Sequence, residues 1–161
     1  MITSQDVHYI ANLLSSHVKK ERDSSVNAHS ESAYRSAISR YYYSAYLELR
    51  DILMHIKLED DAPRIKHAEM PKQLGRLRRL ANKNRANVSH SEHSAVVSSL
   101  NELAAIIDKS RALRENCDYD IGKPLFTTYT EAINNLKDAK GWYATVVAHK
   151  RIVERILPQL I

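Results

Sequence analysis

Apolar residues recur along this chain at helical spacing, with few interruptions. Val7, Ile10, Ala11, Leu14 and Val18 share one face and predict a first helix over about 4–22. Asp23-Ser24-Ser25 breaks that pattern. A long second helix is expected over about 32–57, along the line Tyr34, Ile38, Tyr41, Ala45, Leu49, Ile52 and Ile56. Its first half is rich in tyrosine (Tyr34, Tyr41, Tyr42, Tyr43, Tyr46), and rings at that spacing are expected in a core or a dimer interface. A loop with Asp60, Asp61 and Pro63 follows.

The third helix is expected over about 71–83. Pro71 suits its first turn, where the N–H that proline lacks would go unpaired anyway. Leu74, Leu77 and Ala81 form its apolar edge. A fourth helix is expected over about 91–116. Ser89-His90-Ser91-Glu92 reads as its capping box, and Val96, Val97, Leu100, Leu103, Ala104 and Ile107 form its core stripe. It should fail near 118–122, before Pro124. A fifth helix is expected from Thr128, where Thr128-Tyr129-Thr130-Glu131 is a second capping box. Ile133, Leu136, Tyr143, Val147 and Val153 carry its stripe, and Gly141 marks a close approach or a bend. Residues 155–161 are expected as a separate turn or a frayed tail.

Composition agrees with helix. The chain holds only 3 Gly, 4 Pro and 1 Phe, which argues against a sandwich or barrel. Its 161 residues fit a single domain spanning 1–161. The expected fold is an all-α bundle of about five helices. Cys117 is the single cysteine, so neither an intrachain disulfide nor a thiolate zinc cage can form. The first residues lack a charged segment leading into an apolar run, and no apolar stretch reaches the ~20 residues of a membrane span. A cytoplasmic protein without membrane contact is the expectation. The formal charge of +5 is compatible with a polyanionic partner but is weak on its own.

The candidate chemistry clusters in two places. Arg114 lies seven residues after Ile107 and so nearly repeats the azimuth of a core residue. A guanidinium there must find a partner, a cleft or an interface. Asp118, four residues on, can pair with it if the helix persists. The second cluster is Lys72, Arg76, Arg78, Arg79, Lys83 and Arg85, with no acid between 72 and 85. A solvated face usually mixes signs. Lys72, Arg76, Arg79, Lys83 and Arg85 are therefore the candidate phosphate-tracking residues. His67, before the third helix, is a candidate base if its loop reaches Arg114. Arg85 and His90 bracket four residues, and His90 and His93 have ligand spacing without a convincing third ligand. No metal and no cofactor is expected.

Two stretches carry a resemblance. Ser36-Ala37-Ile38-Ser39-Arg40-Tyr41-Tyr42-Tyr43-Ser44-Ala45-Tyr46 resembles the long second helix of HEPN-domain proteins, in their small stand-alone branch. Leu113-Arg114-Glu115-Asn116-Cys117-Asp118-Tyr119-Asp120 resembles the later signature of that branch, with Cys117 where alanine is usual. The resemblance implies a HEPN-like helical bundle acting as a homodimer on RNA. It implies a metal-independent endoribonuclease, a toxin or anti-phage defence effector, with an antitoxin or partner defence protein. In such enzymes an arginine and a histidine four to six residues later meet across the dimer, and the RNA 2′-hydroxyl is the nucleophile. Carried over, Arg114, Asp118 and Tyr119, with His67 as a base from the neighbouring loop, are the catalytic candidates.

This chain departs from the pattern at Tyr119, which stands where histidine is usual. A phenol, with a reference pKa of about 10, is a poor general base at neutral pH, yet it can donate a hydrogen bond to phosphate. The alternative is thus a non-catalytic HEPN module that binds RNA, a nucleotide or a partner protein. A helical interaction protein with a coincidental motif is the third reading.

Overall fold

The computed structural model describes residues 2–20, 28–56, 65–120 and 122–160. Among them there is no strand. Five α-helices carry the fold: α1 Ser4–Lys20, α2 Ala28–His55, α3 Met70–Lys83, α4 His90–Tyr119 and α5 Tyr129–Ile156. The break at Asp23-Ser24-Ser25 and the loop with Asp60, Asp61 and Pro63 lie outside the described residues.

The ends of these helices follow from local chemistry. Thr3 and Asp6 cap α1 reciprocally: the Asp6 N–H donates to Thr3 Oγ1 at 3.2 Å, and the Thr3 N–H donates to Asp6 Oδ2 at 2.8 Å. Ser89 and Glu92 do the same for α4, at 3.3 and 3.1 Å, as their spacing predicts. The second expected box is only half made. The Glu131 N–H donates to Thr128 Oγ1 at 3.2 Å, but the Glu131 carboxylate reaches one residue further back, to the Thr127 N–H at 3.0 Å. Pro71 sits in the first turn of α3 as expected. The tail is a 3-10 turn, Leu157–Gln159, and Leu157 and Leu160 are both buried, so it packs and does not fray.

The chain divides into two compact units. One comprises Met1–Ala45 with Lys109–Ala144, the other Tyr46–Asp108 with Thr145–Ile161. In the first unit Tyr34, Ile38, Tyr41 and Tyr42 from α2 are fully buried, together with Ala11, Ala132 and Leu136. In the second, Leu49, Ile52, Met70, Leu77, Leu100 and Leu103 form the core. The tyrosines of α2 are therefore core residues, apart from the half-buried Tyr43.

Two stripe assignments are corrected. Ile10 is 44 % exposed and not core: it lies at the edge of the stripe, which runs through Val7, Ala11 and Val18. On α5 the buried line is Ala132, Leu136, Ala139, Trp142, Val146 and Val153, rotated slightly from the expected one.

Gly141 makes no close approach. The helix runs through it, and a Cβ built there meets nothing within 4 Å. Glycine in a helix interior costs about 0.8–1 kcal/mol relative to alanine, through backbone entropy. Gly141→Ala should raise stability by about that amount, read as a later urea midpoint at unchanged slope. A lower midpoint would mean that a neighbour does approach this face.

Candidate functional site

In the first unit the last turns of α4 lie beside α2. The helix persists to Tyr119, which brings Asp118 one turn below Arg114. Arg114 Nε lies 2.6 Å from Asp118 Oδ2, the ion pair that the spacing predicts. The two atoms meet as an ion pair without the direction of a hydrogen bond, for no acceptor lies along the buried Nε–H. Arg114 Nη2 donates to the Tyr43 hydroxyl at 2.8 Å. The other oxygen of Asp118 accepts from Ser39 Oγ at 2.6 Å. Ser39 and Tyr43 therefore hold the two members of the pair from α2.

Aromatic rings box the guanidinium. Its carbon is 5.9, 5.3 and 5.3 Å from the ring centres of Tyr42, Tyr43 and Tyr119, within cation–π range. Burial works against the charge of Arg114, but Tyr43, Asp118 and Tyr119 outweigh it and hold its pKa above the ordinary value. The side chain is 12 % exposed, whereas Tyr119 is 72 % exposed. Tyr119 is therefore not a core residue. It covers one face of the guanidinium from outside.

Among the described residues, the partners of Arg114 are Asp118, Tyr42, Tyr43 and Tyr119, and none is the histidine of the HEPN pattern. His8 is the histidine of the first unit whose side chain is described, and it stacks on Tyr143 at 4.3 Å between centroids. Burial, with Lys140 nearby, lowers its pKa. His67 belongs to the second unit, in a short 3-10 turn, where its ring stacks on Tyr46 at 3.9 Å.

A second arginine in this region had no role assigned from sequence. Arg35 donates Nη1 to the carbonyls of Asn116 at 2.9 Å and Cys117 at 3.2 Å. Its Nη2 donates to Glu31 Oε1 at 2.8 Å and to the Lys123 carbonyl at 2.6 Å. Glu31 Oε1 also accepts the Leu125 N–H at 2.8 Å. Carbonyls in the last turn of a helix lack intrahelical donors, and a cation there also meets the negative end of the dipole. Arg35 and Glu31 therefore clamp the end of α4 and the following loop, and so set the position of Asp118. Their i, i+4 spacing was the visible signal; the carbonyl partners lie 81–88 residues away. Cys117 is buried beneath, and burial pushes its thiol up to about 12, so it packs as a small apolar residue.

An open groove of about 460 Å³ runs along this face, lined by Ser32, Ser36, Ser39, Arg40 and Tyr43 of α2 and by Asp118.

In the second unit the basic stripe is real as a surface. Lys72, Arg76, Arg79 and Lys83 are exposed along α3, and Arg85 continues them in the turn Arg85–Asn87. The opposite face of the helix buries Met70, Leu74, Leu77 and Ala81. Lys72, Arg79, Lys83 and Arg85 have no acid partner among the described residues. Arg78 is turned to Asn101 Oδ1 at 2.7 Å. His90 is exposed, and His93 Nε2 lies 3.1 Å from Asn82 Oδ1.

The second unit also holds an ion cluster, of which only the i, i+4 pair Lys150–Glu154 has a signal in residue spacing. Lys150 Nζ lies 2.7 Å from Glu48, 3.7 Å from Asp51 and 3.7 Å from Glu154. Burial opposes its charge, but the hydrogen bond to Glu48 and the surrounding carboxylates raise its pKa. With its charge satisfied on three sides, it is a structural group.

Among the described residues, no three or more ligand side chains gather as a metal site, and no helix is long and apolar enough to cross a membrane. Comparison with protein-family models, with curated proteins and with solved structures found no match.

Proposed function

We propose that this chain is an RNA-targeting protein of the HEPN type that grips the RNA backbone with α3. The observation that carries this reading is the exposed stripe Lys72, Arg76, Arg79, Lys83 and Arg85, in a segment without acids. Lone surface cations beside a polyanion release its counterions on binding, which is the main source of sequence-independent affinity. Four of the five have no acid to neutralise them among the described residues. The two motifs quoted for the HEPN resemblance support the RNA side of the reading. In that frame the protein is a homodimer, paired with an antitoxin or partner defence protein.

The second reading is that it also cuts RNA without metal, as a toxin or anti-phage effector. The grouping of Arg114, Asp118, Tyr43 and Tyr119 favours it. The 2′-oxygen would attack the adjacent phosphorus and the 5′-oxygen would leave, giving a 2′,3′-cyclic phosphate. Asp118 is the candidate to take the 2′-proton, and Tyr119 to donate to the phosphate or leaving oxygen. The commitment of Arg114 to Asp118, and the absence of an imidazole among their described partners, place this reading second.

Incubation of the protein with single-stranded RNA in EDTA separates the two. Binding with intact RNA is the expected result. Fragments with cyclic phosphate ends, suppressed roughly 100- to 1,000-fold by Arg114→Ala, would establish the second reading instead. Neither binding nor cutting would contradict both and leave a role as a helical scaffold.

A further inference from the structure

The groove along α2 has a composition that the basic stripe does not share. Ser32, Ser36 and Arg40 follow one another at i, i+4 and i+8, so they stand in a row on one face, about 6 Å apart along the axis. All three are exposed. Tyr43, one turn on, adds a half-buried ring, and Asp118 closes the far side.

The charges of this groove are distributed unevenly. Arg35 is spent on Glu31 and on backbone carbonyls. Asp118 is neutralised by Arg114 and held by Ser39. Arg40 alone brings an uncommitted guanidinium, with no ion pair or hydrogen bond among the described residues. A guanidinium fork matches the two oxygens of a phosphate, and hydroxyls beside it match the hydroxyls of a sugar. The groove volume of about 460 Å³ lies in the range of small-ligand sites.

We propose that this groove binds one ribonucleotide unit, with Arg40 on the phosphate and Ser32 and Ser36 on the 2′-hydroxyl and the neighbouring 3′-oxygen of the ribose. The proposal rests on the RNA-targeting reading and deepens it. It gives the protein a means of telling RNA from DNA, which a stripe of cations lacks, because only the ribose carries a 2′-hydroxyl. The shared chemistry is a ribose phosphate, whether free or within a chain.

The test uses the full chain with a short labelled oligouridylate, its deoxy counterpart and free uridine 5′-monophosphate as competitor. Arg40→Ala should weaken RNA binding roughly tenfold or more, as loss of a charge-assisted contact does. It should also flatten the salt dependence by about 0.7. Arg40→Lys should keep that salt dependence while losing part of the affinity. The double change Ser32→Ala and Ser36→Ala should leave DNA binding unmoved and reduce the preference for RNA. These residues are exposed, so the fold should survive, which circular dichroism checks. Competition by the monophosphate that Arg40→Ala abolishes would assign the groove to a free nucleotide; its absence would assign it to a unit within RNA. If wild type binds RNA but Arg40→Ala and the serine changes alter neither affinity nor preference, the groove proposal is wrong and the RNA reading stands. If wild type binds no RNA or nucleotide, both fall.

Discussion

Arg35→Ala is expected to lower the stability of this protein by about 1–3 kcal/mol, the usual cost of leaving partly buried polar groups without their partner. The side chains of Arg35 and Glu31 are only 11 % and 17 % exposed, so the pair is not a solvated surface contact. Removing the guanidinium leaves the Glu31 carboxylate without its cation, though still bonded to the Leu125 N–H, and takes the donor from the carbonyls of Asn116, Cys117 and Lys123. A urea titration measures the effect as a fall in midpoint. Arg35→Lys should recover only part of it, because one ammonium cannot reach all these acceptors. A loss below about 1 kcal/mol would show the clamp to be a surface pair.

Glu31 adds a pH dependence of known sign. Burial opposes its charge, but the Leu125 N–H and Arg35 outweigh it and hold its carboxyl below the ordinary 4.5. The unfolded chain then binds the proton more readily than the folded one. The stability contributed by Glu31 is present above the ordinary value and is lost as pH falls through the folded value. Urea midpoints should drop in that acid range for wild type, and less steeply for Glu31→Gln.

The largest functional effect is expected on α3. Replacing Lys72, Arg76, Arg79 and Lys83 together by Gln removes four cations while keeping good helix formers. All four are exposed, so the midpoint of unfolding should hardly move. If each contacts a phosphate of single-stranded RNA, the plot of log affinity against log salt should become shallower by about 3, at ~0.7 per contact. The losses should fall equally on RNA and DNA, since a phosphate contact carries no information about the sugar. An unchanged slope would mean that α3 is merely an amphipathic helix with a solvated basic face.

Much of this architecture could be read from residue spacing, because helices write their buried faces into the sequence at short range. The stripe of α3, the Ser89–Glu92 cap and the Arg114–Asp118 pair all depend on residues within one or two turns. Ile10 escaped because a periodic pattern does not say where a stripe stops. Lys150 with Glu48, and Arg35 with the end of α4, escaped for a different reason. Their partners lie about a hundred residues away or are backbone carbonyls, which have no side-chain signature. Ser39 and Tyr43 were visible as motif residues, yet only the packing of α2 beside α4 gives them their roles on Asp118 and Arg114. The Arg114 centre is thus more constrained than its sequence suggests: its guanidinium is already paired, boxed by rings and covered by Tyr119.

The most direct test of the RNA-targeting reading is the affinity of the wild-type chain for a labelled single-stranded RNA, measured in EDTA from low to physiological salt. The account predicts binding that weakens linearly on log–log axes, with a slope of roughly −2 to −4 for three to five phosphate contacts. Absence of binding at low salt, or an affinity indifferent to salt, would contradict it.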